Sequence, residues 1–215
     1  MWQIFWLGGI SMLMLILAGL INPVVMKSRK ASEKVQTMNT VRQAGLALAE
    51  FEAEYGRYPD LTTIPAVKSS TGTSLDLGDG SSNQLFRQII ATGFPIEKPF
   101  WARTAVSPTK PDDISRVPGK ALQPGEVGFT YITGLSSKSH PDTPLLLTPM
   151  IPGTFTFDPE PLKGYAVVLH VNGTAKAYPI HQKSKRVILG PGGMDIFDPR
   201  QPFWSGKRPD IRWPE

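Results

Sequence analysis

The sequence predicts an α+β fold: a long N-terminal helix, transmembrane at first and amphipathic beyond, then a head with a short helix and an antiparallel β-sheet. Three observations predict it. Residues 2 to 26 carry no charged side chain, and at 1.5 Å per residue they span about 38 Å, more than a hydrocarbon core of about 30 Å. Past a basic collar at Lys27, Arg29 and Lys30, apolar residues recur at mostly three- or four-residue spacing as far as Tyr55. After residue 126, runs of β-formers alternate with turn residues.

The organisation follows as an anchor over 1–26, an amphipathic extension over 27–58 and one head domain over 59–215. Removing the helix from 215 residues leaves roughly 155, the usual size of a single domain. Gly 20 and Pro 21 make about a fifth of the chain, below the roughly 25 to 30% of a low-complexity chain, so the head is expected to fold with long turns. The absence of cysteine excludes a disulfide framework, a CxxC site and a thiol nucleophile. The net charge of +5 is scattered over short clusters without a continuous basic stripe or a stacking module, so no nucleic-acid partner is expected.

Within the anchor, Leu13 and Leu17 lie in the apolar run, Trp2 and Trp6 suit one interfacial belt, and Lys27, Arg29 and Lys30 mark the other headgroup layer. The alternative is a cleaved signal peptide, which the long apolar run and the lack of an A-x-A site oppose. Pro23 removes an amide proton and kinks or restarts the helix near the membrane exit. The charge pattern by itself places the collar on the cytoplasmic side. Beyond the collar, Ala31, Val35, Met38 and Val41 are expected to meet either a partner helix, as an assembly interface, or the chain's own head, and Leu48 to Tyr55 to pack on the head. Gly56 and Pro59 close the helix.

The uncharged N-terminal helix, Pro23, the run Asn39-Thr40-Val41-Arg42-Gln43-Ala44-Gly45-Leu46-Ala47-Leu48-Ala49-Glu50-Phe51 and the closing Glu54-Tyr55-Gly56-Arg57-Tyr58-Pro59 together resemble the type IV pilin-like proteins. Within that group the likeness is to the pseudopilins of type II secretion, and it covers about the first 60 residues. The resemblance implies a subunit anchored in the bacterial inner membrane with a periplasmic head, a helix that packs in the core of a short filament, and partners among other pilin-like subunits, copies of itself and the secretion machinery. It also allows a structural calcium in a C-terminal loop, without naming its ligands. The sequence departs from the family in having no basic leader ahead of the apolar run and no acidic residue before Glu33. Leader processing, N-terminal methylation and the contact made by the family's fifth-position Glu are therefore not carried over.

In the head, Leu61 to Ser82 is expected as a surface loop, and Asp76-Leu77-Gly78-Asp79-Gly80 as a turn rather than a cation loop, since it lacks EF-hand spacing. Ser81 or Ser82 caps a short helix with Leu85, Phe86, Ile89 and Ile90 on one face and Gly93 at its end. Phe100-Trp101 is expected to plug into the core and Lys110 to Gln123 to stay solvated. Strands are expected at Val127–Thr133, Leu145–Met150, Tyr165–Val171 and Thr174–Ile180, the last two joined by Asn172-Gly173 in a type I′ turn, with a further short strand at Arg186–Leu189. The tail from Asp195, rich in Pro and aromatics, is expected to wrap over the sheet. In that tail, Trp204 and Trp213 are either core residues or exposed anchors for a neighbouring subunit.

No reaction is announced. Ser139, His140 and Asp142 are near in sequence but follow no nucleophile-elbow pattern. His170 and His181 lack a third ligand placed by spacing, so no metal or cofactor site is predicted. The expected function is that of a non-enzymatic assembly subunit. The alternatives are a membrane-tethered protein that binds carbohydrate or peptide, and more remotely a tethered hydrolase.

Overall fold

The first described helix, α1 over 32–55, has two unlike sides because its apolar residues occupy two arcs. The computed structural model describes residues 32–190 and 192–215; the anchor residues Trp2, Trp6, Leu13, Leu17, Pro23, Lys27, Arg29 and Lys30, together with Ala31, lie outside them. Among the described residues no helix is long and apolar enough to cross a membrane. The inner arc of α1 buries Val41, Ala44, Ala47, Leu48 and Phe51. Each large member contributes about 1.5–3 kcal/mol of apolar burial. Gly56, at φ +78°, ends the helix by donating its N–H to Glu52 O at 2.7 Å.

Helix α2, Ile64–Thr71, occupies the stretch expected as a loop. Its Ser and Thr residues are poor helix formers, but Asp60 starts the turn by accepting the N–H groups of Thr62 (2.8 Å) and Thr63 (3.2 Å). Pro65 lies in the first turn, where no N–H is needed, and buried Val67 fastens the helix to the core. Helix α3, Ser82–Ala91, follows the expectation: Ser81 accepts the Gln84 N–H at 3.2 Å, and Leu85, Phe86, Ile89 and Ile90 are buried. Buried Gln88 accepts from the Thr63 hydroxyl at 2.6 Å and donates to Asp60 O at 3.0 Å, tying α3 to the α2 turn.

Among the described residues seven strands follow: β1 Thr130–Ile132, β2 Pro144–Thr148, β3 Tyr165–His170, β4 Ala175–Pro179, β5 Ile188–Leu189, β6 Met194–Asp195 and β7 Ile211–Arg212. Five form an antiparallel sheet in the order β4-β3-β2-β1-β7, and β5 and β6 form a separate ribbon. Both faces of the sheet are covered. Leu146, Val167 and Leu169 face the helices, while Leu147, Ala166 and Val168 face a second core with Ile196, Phe197 and Trp204 of the tail. That double burial explains the continuous apolar runs of β2 and β3, where one wet face would give alternation.

The β3–β4 hairpin is present, with a different turn from the expected one. Only Gly173 has a positive φ (+76°), whereas a type I′ turn requires it at both central residues. Contacts from the preceding loop hold the tip: Val171 N donates to Thr143 O (3.0 Å) and Asn172 N to Pro141 O (3.1 Å). The Asn172 side chain accepts from Thr174 N at 3.0 Å. The result is a three-residue loop with glycine in the left-handed position.

Between α3 and β1, Phe100 and Trp101 plug into the core as expected, and Phe100 stacks on Phe86 at 4.8 Å. Within the stretch expected to be solvated, Ala121 and Leu122 are buried instead. Their polar backbone is satisfied by Asn83, Arg87 and Glu97: Asn83 Nδ2 and Arg87 Nη2 donate to Leu122 O, Arg87 Nε donates to Ala121 O, and Leu122 N donates to Glu97 Oε1. The tail joins the sheet edge as β7 and then covers the start of α3. Trp213 O accepts the Ser82 N–H (3.0 Å), Glu215 N donates to Asn83 Oδ1 (3.0 Å), and the Glu215 side chain accepts from the Ser81 hydroxyl. An unsatisfied N–H of the helix start thereby finds a partner.

Tyr131 is fully buried and donates to Pro59 O at 2.8 Å, linking the sheet to the end of α1. Tyr131→Phe leaves that carbonyl without its donor and is expected to cost about 1–3 kcal/mol in urea unfolding. Burial also raises the Tyr131 pKa well above its ordinary value and that of Tyr58 to about 12. Raised folded pKa values mean that the unfolded chain loses these protons first, so stability is full below pH 10 and falls as the pH rises through 12. Tyr131→Phe flattens part of that alkaline fall, as unfolding curves collected between those pH values will show.

Candidate functional site

At about 100° per residue, placing Val35 at zero puts Leu46 at about 20°, Arg42 at about −20°, Asn39 at about 40° and Ala44 at about 180°. Helix α1 therefore carries an outward stripe opposite its core face. Val35 is 58% exposed and Leu46 67%, among the most exposed large aliphatic side chains of the described residues. Arg42 Nη1 donates to Asn39 Oδ1 at 3.2 Å midway along the stripe.

The stripe borders a groove of 810 Å³. Its helical wall includes Val35, Gln43, Leu46 and Glu50, and the opposite wall is Phe94, Ile96, Lys98 and Pro99 from the segment after α3. Ile96 is 46% exposed. The 3-10 turn Lys98–Phe100 holds that wall in place, because Phe100 is buried against Phe86. The groove thus has aliphatic ends, a centre rich in amides and a single charge of each sign, a composition suited to an amphipathic helix.

The residues expected to meet a partner helix divide between the two sides of α1. Val35 lies on the outward stripe, but Val41 is wholly buried in the molecule's own core and Met38 is packed against it. Helical geometry requires that separation, since Val41 is six residues, about 120°, away from Val35. Leu46, absent from the expected set, belongs to the stripe instead. Its position was readable from the eleven-residue interval to Val35, but the neighbouring Leu48, about 200° away, dominates the periodic pattern. Phe94 and Ile96 carried no periodic signal, being set among prolines and charges.

Trp204 is corrected as an exposed anchor: it is buried, and its indole N–H donates to Ile196 O at 2.7 Å. Trp213 is half-buried against the same far-face core. Both aromatics fill volume where the tail crosses the sheet.

The histidines are engaged separately. His170, buried, donates from Nδ1 to Asp142 O at 2.7 Å, and its Nε2 lies 3.0 Å from the Tyr178 hydroxyl, from which it accepts when the ring is neutral. His181 Nδ1 is held by Ser184 at 3.0 Å. His140 Nδ1 accepts the backbone N–H of Asp142 at 3.2 Å, and the Ser139 hydroxyl accepts that of Ser136 at 3.1 Å, so these side chains serve a turn. Among the described residues, no group of three or more His, Asp and Glu side chains could hold a metal ion.

Burial lowers the His170 pKa. A depressed folded value means that the stabilisation is present above the unfolded value of about 6.5 and is lost as the pH falls through the folded one. His170→Gln is expected to remove that part of the acid destabilisation, measured as the difference between the two stability-pH curves below pH 6.5.

Compared with known proteins, the chain matches no protein-family model, no curated protein and no solved structure.

Proposed function

We propose that this chain is a single-pass, membrane-anchored, pilin-like subunit of a type II secretion or type IV pilus-like assembly. In this reading the uncharged run over 2–26 anchors the chain in the bacterial inner membrane, α1 continues out of it, and the head lies in the periplasm. The subunit works without chemistry of its own, by lateral packing of the outward stripe of α1 and by contacts between heads. The observation that carries the reading is the exposure of Val35 and Leu46 on the side of α1 opposite its own core. A helix serving only as a leash has no need of aliphatic side chains held in water there. The resemblance in Glu54 to Pro59 and the helix-then-antiparallel-sheet order support the same reading.

The anchor is tested by expressing the full chain in bacteria, extracting membranes with alkaline carbonate and treating spheroplasts with external protease. The expected result is a chain that stays with the membrane and loses its head to the protease. Release into the carbonate supernatant contradicts the anchor, and protection of the head contradicts the periplasmic orientation.

A further inference from the structure

A second concavity, of 480 Å³, opens on the far side of the sheet from α1. Its floor is aromatic: Phe155, 36% exposed, sits 5.3 Å between ring centroids from buried Phe197. Three arginines surround that floor, Arg186 from the approach to β5, Arg200 and Arg208 from the tail. Two are fixed in place by carboxylates. Asp195 binds Arg186 through Nη1 alone while accepting the Phe197 N–H at 2.6 Å on its other oxygen. Asp198 grips Arg200 at Nε (3.0 Å) and Nη2 (2.6 Å).

Within each of these pairs the charges compensate, which leaves Arg208, among the described residues, as the uncompensated cation of the pocket. Among the described residues, Arg208 forms no ion pair. Arg186 is half-exposed and retains guanidinium N–H groups beyond the one that Asp195 occupies. A planar cationic fork beside an exposed ring favours a ligand that presents an oxyanion and an apolar body together. The volume lies in the range of small-molecule sites, about 300–1,000 Å³.

We propose that this pocket binds a small molecule carrying one carboxylate or phosphate group on an aromatic or alicyclic body. The oxyanion lies against Arg208 and Arg186, and the ring lies on Phe155. This site is separate from the α1 stripe, and its occupation does not depend on the assembly reading.

The test is calorimetric titration of the full-length protein in a neutral maltoside detergent with benzoate, phenyl phosphate, acetate and inorganic phosphate. The expected result is that benzoate or phenyl phosphate binds about tenfold or more tightly than acetate or inorganic phosphate, because the ring contributes contact that charge alone does not. Comparing benzoate with phenyl phosphate distinguishes the two oxyanion sources. Arg208→Ala is expected to weaken the better probe by about tenfold and Phe155→Ala by about threefold or more. Arg208 is exposed, so Arg208→Ala should retain the thermal midpoint. Equal binding of ringed and ringless anions, unchanged binding by Arg208→Ala or Phe155→Ala, or no binding by any probe overturns the proposal.

Discussion

Gly128→Ala is expected to destabilise the head by about 3 kcal/mol or more, at the upper end of the usual cost of overpacking a core. A Cβ at Gly128 would lie 2.2 Å from Ala102 O and 2.5 Å from Ala102 N. These are backbone atoms, so no change of rotamer relieves the clash. The two segments are also joined by the Gly128 N–H, which donates to Phe100 O at 3.0 Å. Relief therefore requires moving Phe100, stacked on Phe86, out of a closed core. Domains of this size have only about 5–15 kcal/mol to lose. Lys98 and Pro99 form one wall of the α1 groove just before this contact, so even a folded variant should have an altered groove. Gly45→Ala is the control: its Cβ would meet Leu169 Cδ2 at 2.7 Å, the end of a flexible side chain. Helix propensity offsets that contact by about 1 kcal/mol, so urea unfolding should show a much smaller change.

Leu46→Glu is expected to separate assembly from folding. Leu46 is exposed and touches no core, so the head should keep its stability to within about 0.5 kcal/mol. Once a partner helix covers the stripe, however, the same carboxylate must be desolvated, a cost of several kcal/mol that Arg42, one turn away on the same stripe, offsets only in part. A loss of about 3 kcal/mol corresponds to roughly 150-fold weaker association. Full-length protein in detergent, followed by analytical ultracentrifugation, should shift from oligomer to monomer. Val41→Glu behaves in the opposite way, since Val41 is fully buried and the head itself should unfold. If the helix were a leash, Leu46→Glu would leave the sedimentation unchanged.

Elements whose signal is local were legible in the sequence. Helix α3 carried its cap, its apolar face and its terminating glycine, and the β3–β4 pair carried β-formers on either side of Asn172-Gly173. Elements imposed by distant contacts were not. Helix α2 is built from Ser and Thr, and forms because Asp60 starts it and Val67 anchors it. Burial of Ala121 and Leu122 depends on donors from Asn83 and Arg87, almost forty residues away. The hairpin turn took its form from the loop that grips its tip. In the candidate site, spacing alone placed Val35 and could have placed Leu46, but it also swept in Val41. Periodicity marks apolar residues without telling a core face from a contact face when both lie on one helix.

Disulfide cross-linking between copies tests the α1 contact most directly, and the absence of native cysteine makes it free of background. Single-cysteine variants Val35→Cys, Leu46→Cys and, as a solvent-facing control on β4, Lys176→Cys are made in the full chain and oxidised in intact membranes. Covalent dimers through positions 35 and 46 and little product through 176 are the predicted result. Equal yields at all three positions, or none at 35 and 46, would contradict a subunit that assembles through the outward stripe of α1.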